Sequence, residues 1–174
     1  MDKIDEGIWQ IKEFLSAEDC AALFLQAEFS GFQVAHMLHM GRNNREVFLH
    51  CQDTMQELLI RLRQQVSENF DVVGIGQVLE CYRYQEGEFV APHCDAPQEI
   101  SRDVWSNLAL IVYLNNDFQG GETVFSQVGI RITPQMGTAI MFNHSILHEG
   151  AKVLQGIKYI VRTDVSLRDK SYLK

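Results

Sequence analysis

The sequence feature that most constrains the fold is a change of pattern near residue 70. Beyond it, short runs of alternating apolar and polar residues, rich in β-branched and aromatic types, are separated by glycine, proline, asparagine or aspartate. Such runs with turn residues between them predict antiparallel strands. The predicted strands are Val78–Arg83, Glu88–His93, Leu108–Leu114, Thr123–Phe125, Ile130–Thr133, Thr138–Phe142 and Lys158–Val165.

Two helices are predicted before this change. Ser16, followed three residues later by an acidic residue, predicts a capping box and a first helix that ends near Ser30-Gly31. A second capping box at Thr54 predicts a second helix, whose apolar stripe ends at Val66. Both stripes are interpreted as packing faces without a chemical role.

Two helices followed by many short strands predict an α+β protein that is mainly β. The expected architecture is a double-sheet jelly roll or a barrel with helices packed on its outside. A length of 174 residues fits one domain that needs no disulfide or structural metal to fold. We expect a single domain over residues 1–174, with a helical part over about 1–70 and a β core over about 71–168.

The charge of the chain argues against some classes of partner. The formal net charge is −8 at pH 7, whereas broad binding to nucleic acid or to anionic membranes is favoured by a basic surface. No nucleic-acid partner and no membrane partner are expected. The charge does not speak against a peptide, protein or small-molecule substrate.

The cysteines and the N-terminal residues predict a cellular location. Cys20, Cys51, Cys81 and Cys94 show no CxxC spacing, and the first nine residues lack the apolar core of a secretory signal. No segment is long and apolar enough to span a bilayer. We therefore predict reduced thiols and a cytoplasmic protein.

A candidate metal site lies in the second half of the chain. His93 and Asp95 are two residues apart, so on a strand both side chains point to the same face. His148 is the candidate third ligand, just after a predicted strand. Two imidazoles and one carboxylate on one side of an ion are typical of non-haem Fe(II) oxygenases. A His-x-Asp pair alone is weak support, since such pairs arise by chance.

A series of motifs around this pair strengthens the interpretation. In chain order they are Tyr84-x-x-Gly87, the His93-x-Asp95 pair, Tyr113-Leu114-Asn115, Gly120-Gly121-Glu122-Thr123-x-Phe125, Pro134-x-x-Gly137 and His148-Glu149-Gly150-x-x-Val153-x-x-Gly156-x-Lys158-Tyr159. In this order and spacing, Val78 to Asp164 resembles the prolyl 4-hydroxylase-like family of Fe(II)/2-oxoglutarate-dependent dioxygenases. The resemblance implies a double-stranded β-helix, which is a jelly-roll core, with iron near one open end.

The resemblance also implies roles for individual residues. His93, Asp95 and His148 match the family's iron ligands and catalytic centre, and Lys158 matches the basic residue that pairs with the distal carboxylate of 2-oxoglutarate. Tyr113 resembles the tyrosine that donates a hydrogen bond to that carboxylate. Tyr84 resembles another tyrosine that lines the same pocket. For both tyrosines, an aromatic side chain that fills the core is the alternative.

Two residues compete with these assignments. Arg162, four residues after Lys158, would share its face on a strand and is the alternative partner of the carboxylate. His144 is the rival third metal ligand, but it lacks the following Glu-Gly and the matching distance to Lys158. We expect His144 to be a hydrogen-bonded loop residue.

The sequence also predicts the placement of one residue and two segments near the site. Cys94 should point away from the metal face as a small buried residue. The polar stretch Arg42–Arg45 could reach over the open end of the barrel and contact substrate, although a solvated turn is the commoner arrangement. The stretch Ala96–Asn107 leaves directly from the metal strand and could form a lid.

The function implied by the resemblance is hydroxylation coupled to decarboxylation of 2-oxoglutarate to succinate. The implied cofactor is Fe(II), and the co-substrates are 2-oxoglutarate and O2; ascorbate is the reductant that would keep iron reduced, although no residue indicates it. We expect a prolyl or other residue of a peptide or protein as substrate. The alternatives are a free amino acid or small metabolite, a non-catalytic metal-binding jelly-roll sensor, and a zinc hydrolase, which would give no reason for Lys158.

Overall fold

The computed structural model describes residues 1–35, 41–66, 68 and 70–169. Within them lie two helices, α1 Ala17–Ser30 and α2 Gln52–Val66. The strands are β1 Asp2–Asp5, β2 Ile8–Ile11, β3 Gln33–Val34, β4 Arg45–Leu49, β5 Phe70–Ile75, β6 Leu79–Tyr84, β7 Val90–His93, β8 Glu99–Ser101, β9 Val104–Trp105, β10 Leu108–Tyr113, β11 Gln119–Gly120, β12 Thr123–Phe125, β13 Ile130–Ile132, β14 Ala139–Asn143, β15 His148–Gly150, β16 Val153–Gln155 and β17 Lys158–Asp169.

The strands form two main antiparallel sheets. The major sheet has the order β1-β2-β14-β10-β17-β6-β4-β3, and β5 also pairs with β17. The minor sheet has the order β13-β12-β15-β7. Two short pairs, β11 with β16 and β8 with β9, complete the strand pairing of the described residues. This arrangement confirms the predicted mainly β jelly-roll core.

The major sheet is covered on both faces, which explains the uninterrupted apolar run of β10. Leu108, Leu110 and Val112 belong to a core shared with both helices, whereas Ala109 and Ile111 alternate with them and belong to a second core shared with the minor sheet. All six residues of β10 are buried. The helices therefore pack on the outside of one sheet, as predicted, and leave the space between the sheets for a site.

The first helix begins and ends at the predicted residues. The Ser16 hydroxyl accepts a hydrogen bond from the Asp19 amide at 3.0 Å, and the Asp19 carboxylate accepts one from the Ser16 amide at 3.1 Å. Gly31 ends the helix with a φ of +81°, and its amide donates to the Ala27 and Glu28 carbonyls. A left-handed conformation at this position favours glycine.

The second helix was predicted to begin two residues too late. It begins at Gln52, and the Met55 amide donates to the Cys51 carbonyl, so Thr54 lies inside the first turn. Its predicted apolar stripe, Met55 to Val66, is buried. The packing face was therefore predicted correctly, and the start was wrong because a nearby Ser or Thr is only one of several ways to cap a helix.

Several strands were not predicted. β1 to β4 lie in the first seventy residues, and β5 pairs with the C-terminal half of β17, which extends to Asp169 instead of ending at Val165. The short strands β8, β9, β11, β15 and β16 were also missed. Apart from β4 and β5, which have five and six residues, these strands have two to four residues, too few alternations for a pattern to show in the sequence. Neither described helix offers an apolar stretch that could span a membrane.

Candidate functional site

The two candidate histidine ligands are brought together by strand pairing. β15 pairs with β7 in the minor sheet, and His148 lies directly opposite His93 in the register. Their ring centroids are 4.2 Å apart. Directly opposite residues on antiparallel strands share a face, so two positions that are 55 residues apart in the sequence (148 − 93) point into the same space.

Asp95 joins them from just beyond the end of β7. Its amide donates to the His144 carbonyl at 3.0 Å. Its Oδ1 lies 3.8 Å from His93 Nε2, and its Oδ2 lies 3.9 Å from His148 Nε2. One ligand atom from each of the three residues lies within 4.8 Å of the others. The structure therefore brings the three predicted ligands together.

The orientation of both imidazoles is set by the backbone. His93 Nδ1 donates to the Ala91 carbonyl at 2.9 Å, and His148 Nδ1 donates to the Ile146 carbonyl at 3.0 Å. Because a carbonyl can only accept, the proton must be on Nδ1, and the Nε2 lone pair of a neutral ring is left for a metal. Burial lowers the pKa of His148 to about 4, so this ring is neutral at pH 7.

The carboxylate of Asp95 is ionised and keeps a free acceptor. Burial tends to raise its pKa, but the neighbouring Arg162, His148 and His93 hold the pKa below the ordinary value. Oδ2 is buried and lies 3.1 Å from Arg162 Nη2, and because a carboxylate oxygen has two lone pairs, an acceptor site is left for a metal. Two imidazole lone pairs and one ionised carboxylate form the donor set that Fe(II) takes in oxygenases, so these residues fit the metal.

The rival histidine lies elsewhere. His144 belongs to the turn after β14, and its Nε2 is 3.1 Å from Asp164 Oδ1. Neither ring nitrogen has a partner with hydrogen-bond geometry, so the expectation of a hydrogen-bonded loop histidine was wrong in that respect. Within the described residues the metal-binding group comprises His93, Asp95 and His148, without His144. The contribution of His144 is its carbonyl, which holds the Asp95 backbone.

The expectation for Cys94 was wrong. The residue is exposed and lines the cavity, and its thiol donates to the Ser145 carbonyl at 3.4 Å. The prediction assumed that the strand continues through Asp95, so that Cys94 would point into a core. β7 instead ends at His93, and the residues that follow, Cys94 to Ala96, line the cavity.

The metal group opens into a cavity of about 810 Å³ between the two sheets. Its walls come mainly from the inward faces of β4, β6 and β17. Cross-strand neighbours form successive rows, in which Tyr84 faces Lys158 and Glu80 faces Arg162. The cavity lining includes Arg42, Glu80, Tyr84, Val90, Gln98, Glu99, Ile111, Thr123, Lys158, Ile160, Arg162 and Asp164.

Lys158 is a buried cation at one end of this wall. Its residue exposure is 3 %, and its Nζ donates to the Gly121 carbonyl at 2.5 Å. A Cβ at position 121 would lie 3.0 Å from Lys158 Cδ, so glycine leaves room for the lysine. Burial lowers the pKa of Lys158 to about 7, opposed weakly by Glu122. An ammonium group that is desolvated in this way is stabilised by a carboxylate ligand.

The two tyrosines flank the lysine but differ in access to the cavity. Lys158 Nζ lies 5.1 Å from the ring centre of Tyr84 and 5.7 Å from that of Tyr113. Tyr84 lines the cavity, as expected. Tyr113 is fully buried behind the lining, and its hydroxyl is 2.8 Å from Thr123 Oγ1. Thr123 does line the cavity, so Tyr113 reaches the lining through its hydrogen bond with Thr123.

The two surface segments that were noted in the sequence border the cavity. Arg42 is 14 % exposed in its side chain and lies 4.6 Å above the ring of Tyr82, so the solvated-turn alternative is wrong for this residue. The stretch Ala96–Asn107 contains the hairpin β8–β9, and Gln98 and Glu99 line the cavity.

Sequence reasoning missed Thr123, Glu80 and Asp164 as lining residues. The signal was present as strand periodicity: Glu80, Tyr82 and Tyr84 alternate along β6, and Asp164 continues the alternation that starts at Lys158 on β17. Residues two apart on a strand share a face, so Tyr84 indicated Glu80 by way of Tyr82, and Arg162 indicated Asp164. No identified site residue indicated Thr123 in this way.

We expect His148→Ala to abolish tight metal binding and His144→Ala to retain it. Removing one of three ligands should reduce affinity by more than the roughly 10–100-fold that loss of an outer partner costs. Titration of each folded variant with Mn(II) by calorimetry measures this. Binding retained in His148→Ala and lost in His144→Ala would reverse the ligand assignment.

We also expect the affinity for 2-oxoglutarate to fall as pH rises above about 7. The pKa of Lys158 is about 7, so the group is charged below that pH and loses its proton above it. In the limit, the affinity should fall about tenfold per pH unit. Calorimetric titration of the Mn(II)-loaded protein between pH 6 and 9 provides the measurement.

Two variants serve as controls for this pH dependence. The arginine in Lys158→Arg keeps its charge throughout the range, so this variant should bind 2-oxoglutarate with an affinity that does not depend on pH. Lys158→Met should weaken binding about 10- to 150-fold, because it loses one charge-assisted hydrogen bond. A pH-independent affinity in the wild type, or full affinity in Lys158→Met, would remove the co-substrate role from Lys158.

The comparisons with known proteins agree with this geometry. The model of the 2OG-Fe(II) oxygenase superfamily matches residues 79–163, the stretch that contains the three candidate ligands and Lys158. A protein of Acanthamoeba polyphaga mimivirus, provisionally named a prolyl 4-hydroxylase, is 25% identical over 138 residues, which cover 68% of this chain. The chain spans 56% or less of the length of the curated relatives it matches.

Solved structures share the fold. The viral collagen prolyl hydroxylase of Paramecium Bursaria Chlorella virus-1, in complex with 2-oxoglutarate, is 22% identical with a TM-score of 0.66, and the match covers 94% of this chain and 98% of that one. A prolyl hydroxylase of Trichoplax adhaerens, in complex with a hypoxia inducible factor peptide, is 16% identical with a TM-score of 0.66, covering 91% and 83%. The chain is therefore similar to the 2OG-Fe(II) oxygenase superfamily over residues 79–163, and it shares its fold with prolyl hydroxylases.

Proposed function

We propose that this protein is an Fe(II)- and 2-oxoglutarate-dependent dioxygenase that hydroxylates a prolyl or other residue in a peptide or protein. The observation that carries the proposal is the placement of two functions in one cavity. The His93, Asp95 and His148 group and the buried ammonium of Lys158 line the same space between the sheets. A metal site alone would give no reason to bury a lysine whose hydrogen-bond partner is a neutral backbone carbonyl, because burial of such a charge costs free energy.

The residues of the chain have separate tasks in this reaction. Bound iron would supply the oxidative chemistry. In this reaction 2-oxoglutarate, O2 and a substrate C–H group give succinate, CO2 and a C–OH group. His93 and His148 present fixed Nε2 lone pairs because their Nδ1 atoms are tethered to carbonyls. Lys158 holds the distal carboxylate of the co-substrate. The apolar side chains of Val90, Ile111 and Ile160 exclude water from the space between them.

A peptide or protein substrate is supported by the structures that share the fold. The Trichoplax neighbour was solved with a peptide bound, and the Chlorella virus neighbour is named for collagen. In this chain the hairpin β8–β9 and Arg42 stand at the cavity, where they could contact the residues that flank a hydroxylated one. Ascorbate is included in the proposal as the reductant that keeps iron in the Fe(II) state.

A free amino acid or small metabolite is the second candidate substrate. The observation that favours it is the cavity volume of about 810 Å³, which lies in the range of pockets that enclose small ligands. The two candidates differ in whether the hairpin β8–β9 would contact the substrate. A peptide would extend out of the cavity to the hairpin, whereas a metabolite inside the cavity needs no contact outside it.

We expect succinate to form from 2-oxoglutarate when Fe(II)-loaded protein, prepared without oxygen, is exposed to O2 in the presence of ascorbate. His93→Ala should abolish this turnover because it removes one metal ligand. Parallel reactions without ascorbate measure its contribution. Binding of 2-oxoglutarate without any succinate in the wild type would support the non-catalytic sensor instead.

We expect the wild type to add sixteen daltons to a peptide, the mass of one oxygen atom. Peptides from a digested cell lysate, incubated with wild type or His93→Ala and compared by mass spectrometry, provide the test. Succinate formation that is stimulated by free amino acids, with no peptide modified, would favour the metabolite.

A further inference from the structure

Arg162 lies next to the candidate metal group on the inward face of β17. Its Nη1 donates to both carboxylate oxygens of Glu80, each at 3.1 Å. Its Nη2 lies 3.1 Å from Asp95 Oδ2 and donates to Asp164 Oδ1 at 3.3 Å. The side chain is 13 % exposed. One guanidinium group therefore joins three carboxylates, one of which belongs to a candidate metal ligand.

These contacts distinguish Arg162 from Lys158. Arg162 is surrounded by carboxylates of the protein, and although burial opposes its charge, Glu80, Asp95 and Asp164 raise its pKa above the ordinary value. Lys158 has a backbone carbonyl as its hydrogen-bond partner. A carboxylate that arrives from solution would have to compete with three protein carboxylates at Arg162, whereas at Lys158 it meets a desolvated cation. We therefore expect the co-substrate carboxylate to bind at Lys158 and not at Arg162.

Asp95 needs an anchor because it lies beyond the end of a strand. β7 ends at His93, so no ladder hydrogen bonds set the direction of the Asp95 side chain, and its backbone is held by the His144 carbonyl. Arg162, in contrast, lies within the longest strand and faces Glu80 on β6 in the register. The major sheet therefore fixes the guanidinium group. This group in turn holds the side chain of Asp95 at the edge of the minor sheet.

We propose that Arg162 is a positioning residue that fixes the Asp95 carboxylate for metal binding and takes no part in holding 2-oxoglutarate. The contact suits this role, because it holds Oδ2 by charge at 3.1 Å, and the carboxylate keeps a further lone pair for a metal. Outer partners of this kind orient metal-binding carboxylates in many sites. The inference rests on the proposed function, since it assumes a metal at His93, Asp95 and His148.

Two variants separate positioning from charge. Arg162→Lys keeps the positive charge but loses the planar fork that can reach three carboxylates. The double variant Glu80→Gln with Arg162→Gln removes one cation and one anion together, so the net charge of the buried cluster is unchanged and the protein is expected to fold. Arg83→Gln is the matched control, because Arg83 on β6 pairs with Glu28 on helix α1 at 3.1 Å, on the other side of the sheet.

Two calorimetric titrations test the inference: Mn(II) into each protein, then 2-oxoglutarate into the Mn(II)-saturated protein. We expect both Arg162 variants to bind Mn(II) about 10–100-fold more weakly and, once saturated with Mn(II), to bind 2-oxoglutarate as the wild type does. Arg83→Gln should match the wild type in both titrations. A general loss of structure would instead weaken both affinities together.

Three outcomes would overturn the inference. Wild-type Mn(II) affinity with weakened 2-oxoglutarate binding would make Arg162 a co-substrate anchor. Unchanged or increased Mn(II) affinity in both variants would show that the carboxylate needs no positioning by this side chain. Equal weakening in Arg83→Gln would assign the effect to sheet stability. Failure of the wild type to bind Mn(II) at all would instead contradict the proposed function, which distinguishes the two claims.

Discussion

The antiparallel pairing of β17 is the interaction on which the fold and the site both depend. This strand pairs with β10 on one side and with β6 and β5 on the other, so it joins the halves of the major sheet. Its alternation places Val161 and Val165 in the core beneath the helices, while Lys158, Ile160, Arg162 and Asp164 line the cavity. A shift of register by one residue would exchange these two sets. The same hydrogen bonds that stabilise the sheet therefore position the charged groups of the site.

The cavity is electrostatically divided along this strand. At Lys158, burial lowers the pKa more than the Glu122 carboxylate raises it, and the pKa falls to about 7. Four residues later, three carboxylates surround Arg162 and raise its pKa. Two cations on one face of one strand therefore have different properties, one suited to an incoming anion and the other to holding side chains of the protein. Strand periodicity explains why they share a face. Their neighbours explain why they differ: Lys158 donates to the Gly121 carbonyl, whereas Arg162 contacts the carboxylates of Glu80, Asp95 and Asp164.

The sequence allowed the β architecture and the metal group to be predicted, because both depend on local patterns. Alternation predicted β6, β10, β12, β14 and the start of β17, and the spacing of His93 and Asp95 predicted a shared face. The sequence did not show that β7 ends at His93, so Cys94 was placed in a core although it is exposed. It also did not show that Tyr113 is buried against Thr123, or that the carboxylates of Glu80, Asp95 and Asp164 meet at Arg162. Such facts depend on tertiary contacts, which no local pattern contains.

A crystal structure of the protein with Mn(II) and 2-oxoglutarate bound under anaerobic conditions would test the proposed metal and co-substrate sites together. We expect a metal ion held by His93, Asp95 and His148, with the distal carboxylate of 2-oxoglutarate against Lys158 and Arg162 still bound to Asp95 and Glu80. A metal ion held by other residues, or a co-substrate carboxylate held by Arg162 with no carboxylate at Lys158, would show that the proposed sites are wrong.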